Sequence, residues 1–398
     1  MSSAIRTVST AKWALHVPKS TAEDAPLICI PTIHPRGDQR ILRCTQVLLD
    51  AGFRVKFIWE GLGKPSADAV VSEELIAPSH SLRQRLIKLS GLTSKALHTN
   101  ANNWHIHDFY MLPSALLASA RGVRTIYDVH EYYPEYYASK LPMAVRPAVR
   151  GAIAGFQSSV ARIIGGVNVV SAAMTPEFDR KGIPTAITPN YPYRMLASKR
   201  DAASRSGAIH IGTLSETYGM EQLISIGEHL ADQGSDISLD LIKKFPNKST
   251  EQAFFARLNS SRASSVIRLI DPVRPTEIPS LLDGYAVGLS TILNAGQNDI
   301  AVPTKLYEYV LAGVTVIGTR RSAQQSFMEN WGQAFLFEDE DTRGMAKAII
   351  DAHRETTKAR SFQAAQEADG HLSWELGPAK SLTALAQIVF HGGRGRDD

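Results

Sequence analysis

The chain has 398 residues, too many for one ordinary hydrophobic core, so two domains of roughly 150–200 residues each are expected. Hydrophobic residues at 44% and charged residues at 21% exclude wholesale disorder and collagen-like sequence. A formal charge of +4 suits anionic small molecules or an anionic lipid surface and argues against a nucleic-acid binder, whose phosphate contacts need denser positive charge. The two cysteines, Cys29 and Cys44, form neither a disulfide framework nor a closely spaced zinc pair, and a reducing, cytoplasmic compartment is expected.

Residues 1–24 read as an N-terminal extension, with Arg6, Lys12 and Lys19 scattered through it and no apolar run of signal-peptide length. From Pro26 onward short β-branched runs alternate with longer helical ones, the pattern of βαβ units around a parallel sheet. A first domain, 25–196, is expected to place strands at 27–32, 54–59, 104–106, 124–127, 167–170 and 185–188. Its helices are expected at 39–51, 82–89, 113–120, 145–162 and 176–181. The polar stretch 197–207 reads as a linker. The pattern restarts in a second domain, 208–372, with strands at 208–211, 238–242, 266–269, 286–289, 314–317 and 334–337. Helices are expected near 220–230, 251–259, 275–281, 304–311 and 342–353. Residues 373–390 carry a terminal helix and 391–398 a tail. No apolar run approaches the ~20 residues that span a bilayer. The fold class expected is α/β, two Rossmann-like parallel-sheet domains whose ligands sit beyond the carboxyl ends of the strands, in a cleft if the domains face each other.

Residues 302–319, VPTKLYEYVLAGVTVIGT, place Pro303 at a helix start, Gly313 at its end and an apolar strand beyond. Lys305 falls in the first turn, where the helix dipole disfavours a cation by ~0.3–1 kcal/mol unless an anion binds nearby. Glu308 follows one turn later on a face shared with Thr304 and Lys305, and a carboxylate there can accept two hydrogen bonds from a vicinal diol such as ribose. Taken alone, Lys305 and Glu308 read first as an i,i+3 surface pair on an ordinary helix. Phosphate and ribose together would make the ligand a nucleotide.

The run from Pro303 resembles the P-[S/T]-K-L-[F/Y]-E-Y-x-x-A-G-x-P-V-I segment of family-4 retaining glycosyltransferases of the GT-B fold (glycosyl transferases group 1 type). A second resemblance lies in His105-Ile106-His107-Asp108 and in Tyr127-Asp128-Val129-His130-Glu131 with Pro134-Glu135, similar to the family's H-x-H-D and Y-D-x-H-E-x-x-P-E pattern. Further likeness lies in Pro35 to Arg40 with the helix after it, in Thr188-Pro189-Asn190, in Ile211-Gly212-Thr213-Leu214-Ser215, and in Ser373-Trp374-Glu375, which resembles the start of a helix crossing back to the first domain. The resemblance spans roughly residues 25–390.

It implies a donor site of Gly37, Gly212, Thr213, Lys243, Pro303, Thr304, Lys305, Leu306 and Glu308, taking a UDP-, GDP- or dTDP-linked sugar. It implies His107, His130 and Glu131 as catalytic residues, with Asp38, Arg40 and Asp108 on the side of a glycan or lipid-linked acceptor. No cofactor is expected, and no metal, because no ligand cluster stands out in the sequence. Many family members carry an arginine and a lysine where this chain has Thr213 and Tyr218, so neutralisation of the diphosphate falls to Lys243, Lys244 and Lys305. Ile300, with Asp299 beside it, likewise replaces the first of the family's paired glutamates. The same fold serves epimerases and phosphorylases, and the missing clamp also fits a silent nucleotide-sugar-binding or scaffold subunit. Residues 81–95 set Leu82, Leu86, Ile87, Leu89 and Leu92 against Arg83, Arg85, Lys88 and Lys95, as an interfacial helix on a membrane would, or as a core helix with a solvated basic edge.

Overall fold

The computed structural model describes residues 6–10, 13–17, 23–36, 38–62, 64–66, 68–77, 82–192, 204–295 and 297–391. It divides into two compact units, Met1–Asn190 with Gly377–Asp398, and Tyr191–Leu376.

The first unit opens with an antiparallel hairpin, β1 (Arg6–Thr10) and β2 (Trp13–Val17), inside the segment read as an extension. Its two-residue connection lacks the Asn-Gly or Asp-Gly pair that announces such a hairpin in sequence. Gln46 docks it: the side-chain amide donates to the His16 carbonyl at 2.8 Å and its oxygen accepts from the His16 N–H at 2.9 Å. The main sheet comprises β3 (Leu27–Pro35), β4 (Arg54–Glu60), β5 (Val71–Ile76), β6 (Asn103–Ile106), β7 (Arg124–Val129), β8 (Gly165–Val169) and β9 (Thr185–Ile187). All pairs are parallel, in the order β5-β4-β3-β6-β7-β8-β9.

Strand β5 was not expected, because Glu73 and Glu74 interrupt its apolar run. Burial of Glu73 is made tolerable by Arg36, whose guanidinium donates to both its oxygens at 2.6 and 3.1 Å. The helix Leu82–Leu97 runs past its expected end near residue 89 and buries Leu92 and Ala96 in the core. Lys95 pairs with Glu74, and the side chains of Leu82, Arg85 and Leu86 lie outside the described residues. Helix Pro378–Ala386 belongs to this unit and packs on the helix Gln39–Asp50 and on β9.

The second unit carries β10 (Ala208–His210), β11 (Leu239–Ile242), β12 (Ile267–Ile270), β13 (Val287–Ser290), β14 (Thr315–Thr319) and β15 (Ala334–Phe337). They form one parallel sheet in the order β12-β11-β10-β13-β14-β15. Helices Ser322–Trp331 and Glu355–Ala368 were not expected from periodicity. The expected linker falls largely on residues outside the described ones.

In each sheet the strand order reverses once, between β3 and β6 and between β10 and β13. At such a point successive crossovers leave on opposite faces, and the carboxyl ends of the two central strands open a crevice for a ligand.

Candidate active site

At the first crevice Asp108, just beyond β6, reaches across to β3: its Oδ2 accepts from the Thr32 hydroxyl at 2.6 Å and from the Ile33 N–H at 3.1 Å. Asp38 caps the helix Gln39–Asp50, accepting from the N–H groups of Arg40 and Ile41 at 3.0 and 3.1 Å. His34, partly exposed, lies between the two acids, 3.3 Å from Asp108 and 3.5 Å from Asp38. Sequence reasoning did not single it out; its place one residue inside the end of β3 was the available signal.

Arg40 turns inward. Its guanidinium donates to Asp128 Oδ1 at 2.8 Å, to the Thr188 carbonyl and hydroxyl, and to Asn190 Oδ1. Arg40 and Asp108 are therefore buried and hydrogen-bonded to the protein, bracing the ends of β3, β7 and β9. Asp128 is the hub. Besides Arg40 it accepts from Asn168 at 2.6 Å and from the Cys44 thiol at 3.4 Å, and the rings of His105 and His130 stand 3.6 and 3.4 Å away. Burial alone would raise its pKa; the Arg40 guanidinium and the imidazoles hold it well below the usual carboxylate range.

His107 Nδ1 and His130 Nε2 share a hydrogen bond of 2.8 Å. Burial, reinforced at His107 by His105, pushes both imidazoles well below their ordinary value, so both are neutral at pH 7. His107 is fully enclosed, and its Nε2 has no hydrogen-bond partner. His130 carries the pair to the surface, with its side chain 12% exposed. Glu131 beside it is half-buried, and burial raises its carboxyl pKa.

Two groups of metal-ligating type come together here that sequence spacing did not suggest, Cys44–His105–Asp128 and His107–Asp128–His130. In both the shared carboxylate is already held by Arg40 and Asn168, and the guanidinium beside it repels a cation. Gly37 lies outside the described residues.

At the second crevice the helix Thr304–Leu311 begins directly after Pro303, which occupies the N-cap rather than the first helical position. The helix is almost wholly enclosed. Leu306 sits in the core, and Thr304 and Glu308, one turn apart, are its half-exposed positions. Tyr309 pins it to the sheet, accepting from the Ile211 N–H at 3.0 Å while its hydroxyl faces the Ile209 and Leu289 carbonyls at 3.3 Å. Gly288 permits this close approach: a Cβ there would stand 2.7 Å from the Tyr309 ring.

Lys305 is buried rather than a surface cation. Its Nζ lies 2.8 Å from Nε2 of His210, the last residue of β10. Burial lowers the lysine to about 7, with Glu308 acting in the opposite sense, and burial and Lys305 together hold His210 well below its ordinary value. Gly212, at φ +138°, lies against the pair; a Cβ there would come 3.6 Å from the His210 ring and 3.9 Å from the lysine Nζ. His210 Nδ1 is buried without a partner. Sequence reasoning missed His210, although it stands two residues before the glycine of the G-x-L-S turn. Thr213 is half-buried, Tyr218, Lys243 and Lys244 are exposed, and the Lys244 carbonyl accepts from the Leu214 N–H at 2.7 Å.

Solved structures with this architecture include sucrose-phosphate synthase from Thermosynechococcus elongatus (TM-score 0.70, 13% identity, covering 93% of this chain and 100% of that one). They also include the UDP-forming α,α-trehalose-phosphate synthase from Burkholderia vietnamiensis (0.66, 13%, 92% and 100%) and Anabaena HepE in complex with UDP and glucose (0.65, 14%, 92% and 99%). The fold is GT-B. These neighbours are glycosyltransferases, and at such identities the likeness to them is one of fold. No family model and no curated protein sequence matches the chain. In GT-B terms, the His107–His130 pair belongs to the N-terminal Rossmann-like unit and the His210–Lys305 pair to the C-terminal one.

Proposed function

We propose that the chain is a retaining glycosyltransferase of the family-4 type, moving a sugar from a UDP-, GDP- or dTDP-linked donor to a glycan or lipid-linked acceptor in polysaccharide or glycolipid biosynthesis. The observation that carries the reading is the His210–Lys305 pair under Gly212, at a helix N-terminus on the switch point of the second sheet. A lysine buried there, with neutral His210 against it and Glu308 one turn along, is suited to receive an anion, and Thr304 with Glu308 offers a half-exposed face for the nucleoside. In the reaction the bond from the anomeric carbon to the diphosphate oxygen breaks and a bond to the acceptor oxygen forms, the acceptor hydroxyl passing its proton to the departing diphosphate. The nucleoside diphosphate leaves with its charge met by the helix amides and Lys305. His130, neutral and backed by His107, is suited to orient the acceptor hydroxyl, and Glu131 to bind it. The reaction is read as metal-independent, so rates should be unchanged by a chelator.

A silent nucleotide-sugar-binding subunit is the second reading, favoured by Thr213 and Tyr218 in place of the cationic clamp and by the enclosure of His107. Thermal-shift titration with UDP, GDP and dTDP and their sugars separates the two when paired with an acceptor panel. A ligand at 100 times its Kd adds about 2.7 kcal/mol of stability, and transfer to any acceptor excludes the silent subunit. Glu308→Ala should weaken the nucleotide response by about 1.5–3 kcal/mol, the worth of a charge-assisted ribose contact. Unchanged affinity in that variant removes the assignment of Glu308.

A further inference from the structure

The helix Arg146–Ile164 and the turn before it have an inverted distribution of polarity. Gln157 and Ser158 are buried, the Gln157 amide donating to Glu177 at 2.7 Å and the Ser158 hydroxyl to the Ala154 carbonyl at 2.6 Å. Phe156 and Ile163, on the opposite face, are exposed, Ile163 to 61%. That outer face continues through Gly155, Ala152, Gly151 and Ala148 into the turn 141–145, where Leu141, Met143 and Val145 are all exposed and Met143 reaches 78%. At 1.5 Å per residue the helical part alone is about 28 Å long. Phe156 turns one edge of its ring to Phe109, at 5.8 Å between centroids, while Leu141, Met143, Val145 and Ile163 remain exposed, and a contiguous apolar face of this kind marks an interaction site.

Charge identifies the occupant. From residue 136 to 176 the chain has no Asp or Glu but carries Lys140, Arg146, Arg150 and Arg162. Arg150 pairs with Glu135, whereas Lys140 rests over the Tyr136 ring and Arg146 on the Leu141 carbonyl. Lys140 and Arg146 thus flank the apolar turn, and Arg162 closes the far end of the helix. An apolar strip with cationic ends matches the interface of a bilayer containing anionic lipid, acyl chains receiving Met143 and Phe156 and headgroups receiving the cations. A second copy of the chain is a poor match, because a self-complementary contact would bring Arg146 and Arg162 of both copies onto one patch.

We propose that the turn 141–145 and the outer face of helix Arg146–Ile164 form a docking surface for an anionic membrane. The surface is independent of the transfer reaction, and it lies on a different element from the basic helix Leu82–Leu97. The test is co-sedimentation of the full chain, without sugar nucleotide, with vesicles of phosphatidylcholine alone or with about 30 mol% phosphatidylglycerol. Binding is expected to be at least about tenfold stronger to the anionic vesicles and to weaken in about 0.5 M salt. Met143→Glu with Ile163→Glu should abolish it at an unchanged melting temperature, both residues being exposed. Arg146→Gln with Arg162→Gln should remove the lipid-charge preference, and Leu62→Glu, at an exposed leucine elsewhere, should change nothing. Absence of binding to anionic vesicles, equal binding to both compositions, or binding indifferent to the Met143/Ile163 variant overturns the proposal. Sedimentation showing a dimer that the same variant dissociates, with no vesicle binding, assigns the face to a second copy instead and equally overturns it.

Discussion

Lys305 combines two requirements that conflict. Its amine sits in a buried position that favours the neutral form, yet the proposed role needs the charged one. Its folded pKa of about 7 lies below the model-peptide value of 10.5, so the folded state resists a proton that the unfolded chain accepts. The penalty is complete below about pH 7 and fades as pH rises toward 10.5. Lys305→Met should therefore raise thermal stability at pH 6, by more than at pH 9, while abolishing stabilisation by UDP; melting curves across pH with and without nucleotide check both. For the same reason nucleotide affinity in the native chain should fall as pH rises above about 7, since the anion then binds only with uptake of a proton. Calorimetry in buffers of differing ionisation enthalpy reads that proton directly.

Asp128 is the counterpart in the first unit. With Asp128→Ala, Arg40 stays buried without its carboxylate, and breaking such a pair costs about 3–5 kcal/mol in urea unfolding. Because the Asp128 pKa is depressed in the folded state, its contribution is present above the ordinary carboxylate value of about 3.9 and is lost as pH falls through the lower folded value.

At the scale of elements, the helix Thr304–Leu311 shows how closely position and packing are coupled. Two contacts hold it on the sheet: the Tyr309 hydroxyl among backbone groups of β10, its following residue and β13, and the Tyr309 ring against Gly288. Gly288→Ala should force the ring outward, cost about 1–3 kcal/mol by overpacking, and weaken nucleotide binding by moving Lys305 with its helix; denaturant unfolding and nucleotide titration measure the two effects.

This helix was readable from the sequence because its start, its apolar face and its terminal glycine agree. Strand β5 was not, since Glu73 looks like a solvent residue until Arg36 is seen against it. Helix Leu82–Leu97 was read too short because Ser90 and Gly91 weaken its middle, where burial of Leu92 and Ala96 outweighs the local cost.

At the scale of the whole molecule, each unit has its own core: Trp104, Met111 and Phe178 in the first, Leu223, Phe254 and Ile349 in the second. Residues proposed for the donor diphosphate and ribose, Lys305, Glu308 and Gly212, lie in the second unit. Calorimetry should accordingly show two transitions, only one of them raised by UDP, and by about 2.7 kcal/mol at 100 times Kd. Equal displacement of both would show that the nucleotide stabilises both units.

The alternation of β-branched and amphipathic segments was enough to establish two parallel α/β sheets, because buried parallel strands need continuous apolar runs and their crossovers need helices. Periodicity likewise placed the helix of Lys305 and Glu308. Only the tertiary structure decided what faces what. It put His210 against a lysine 95 residues later, gathered Arg40, Asn168 and three histidines about Asp128, and left Phe156 outside while Gln157 went in. Local sequence encodes which residues can be buried; strand order and the loops that return to it determine which buried polar groups meet, and that pairing sets their charge.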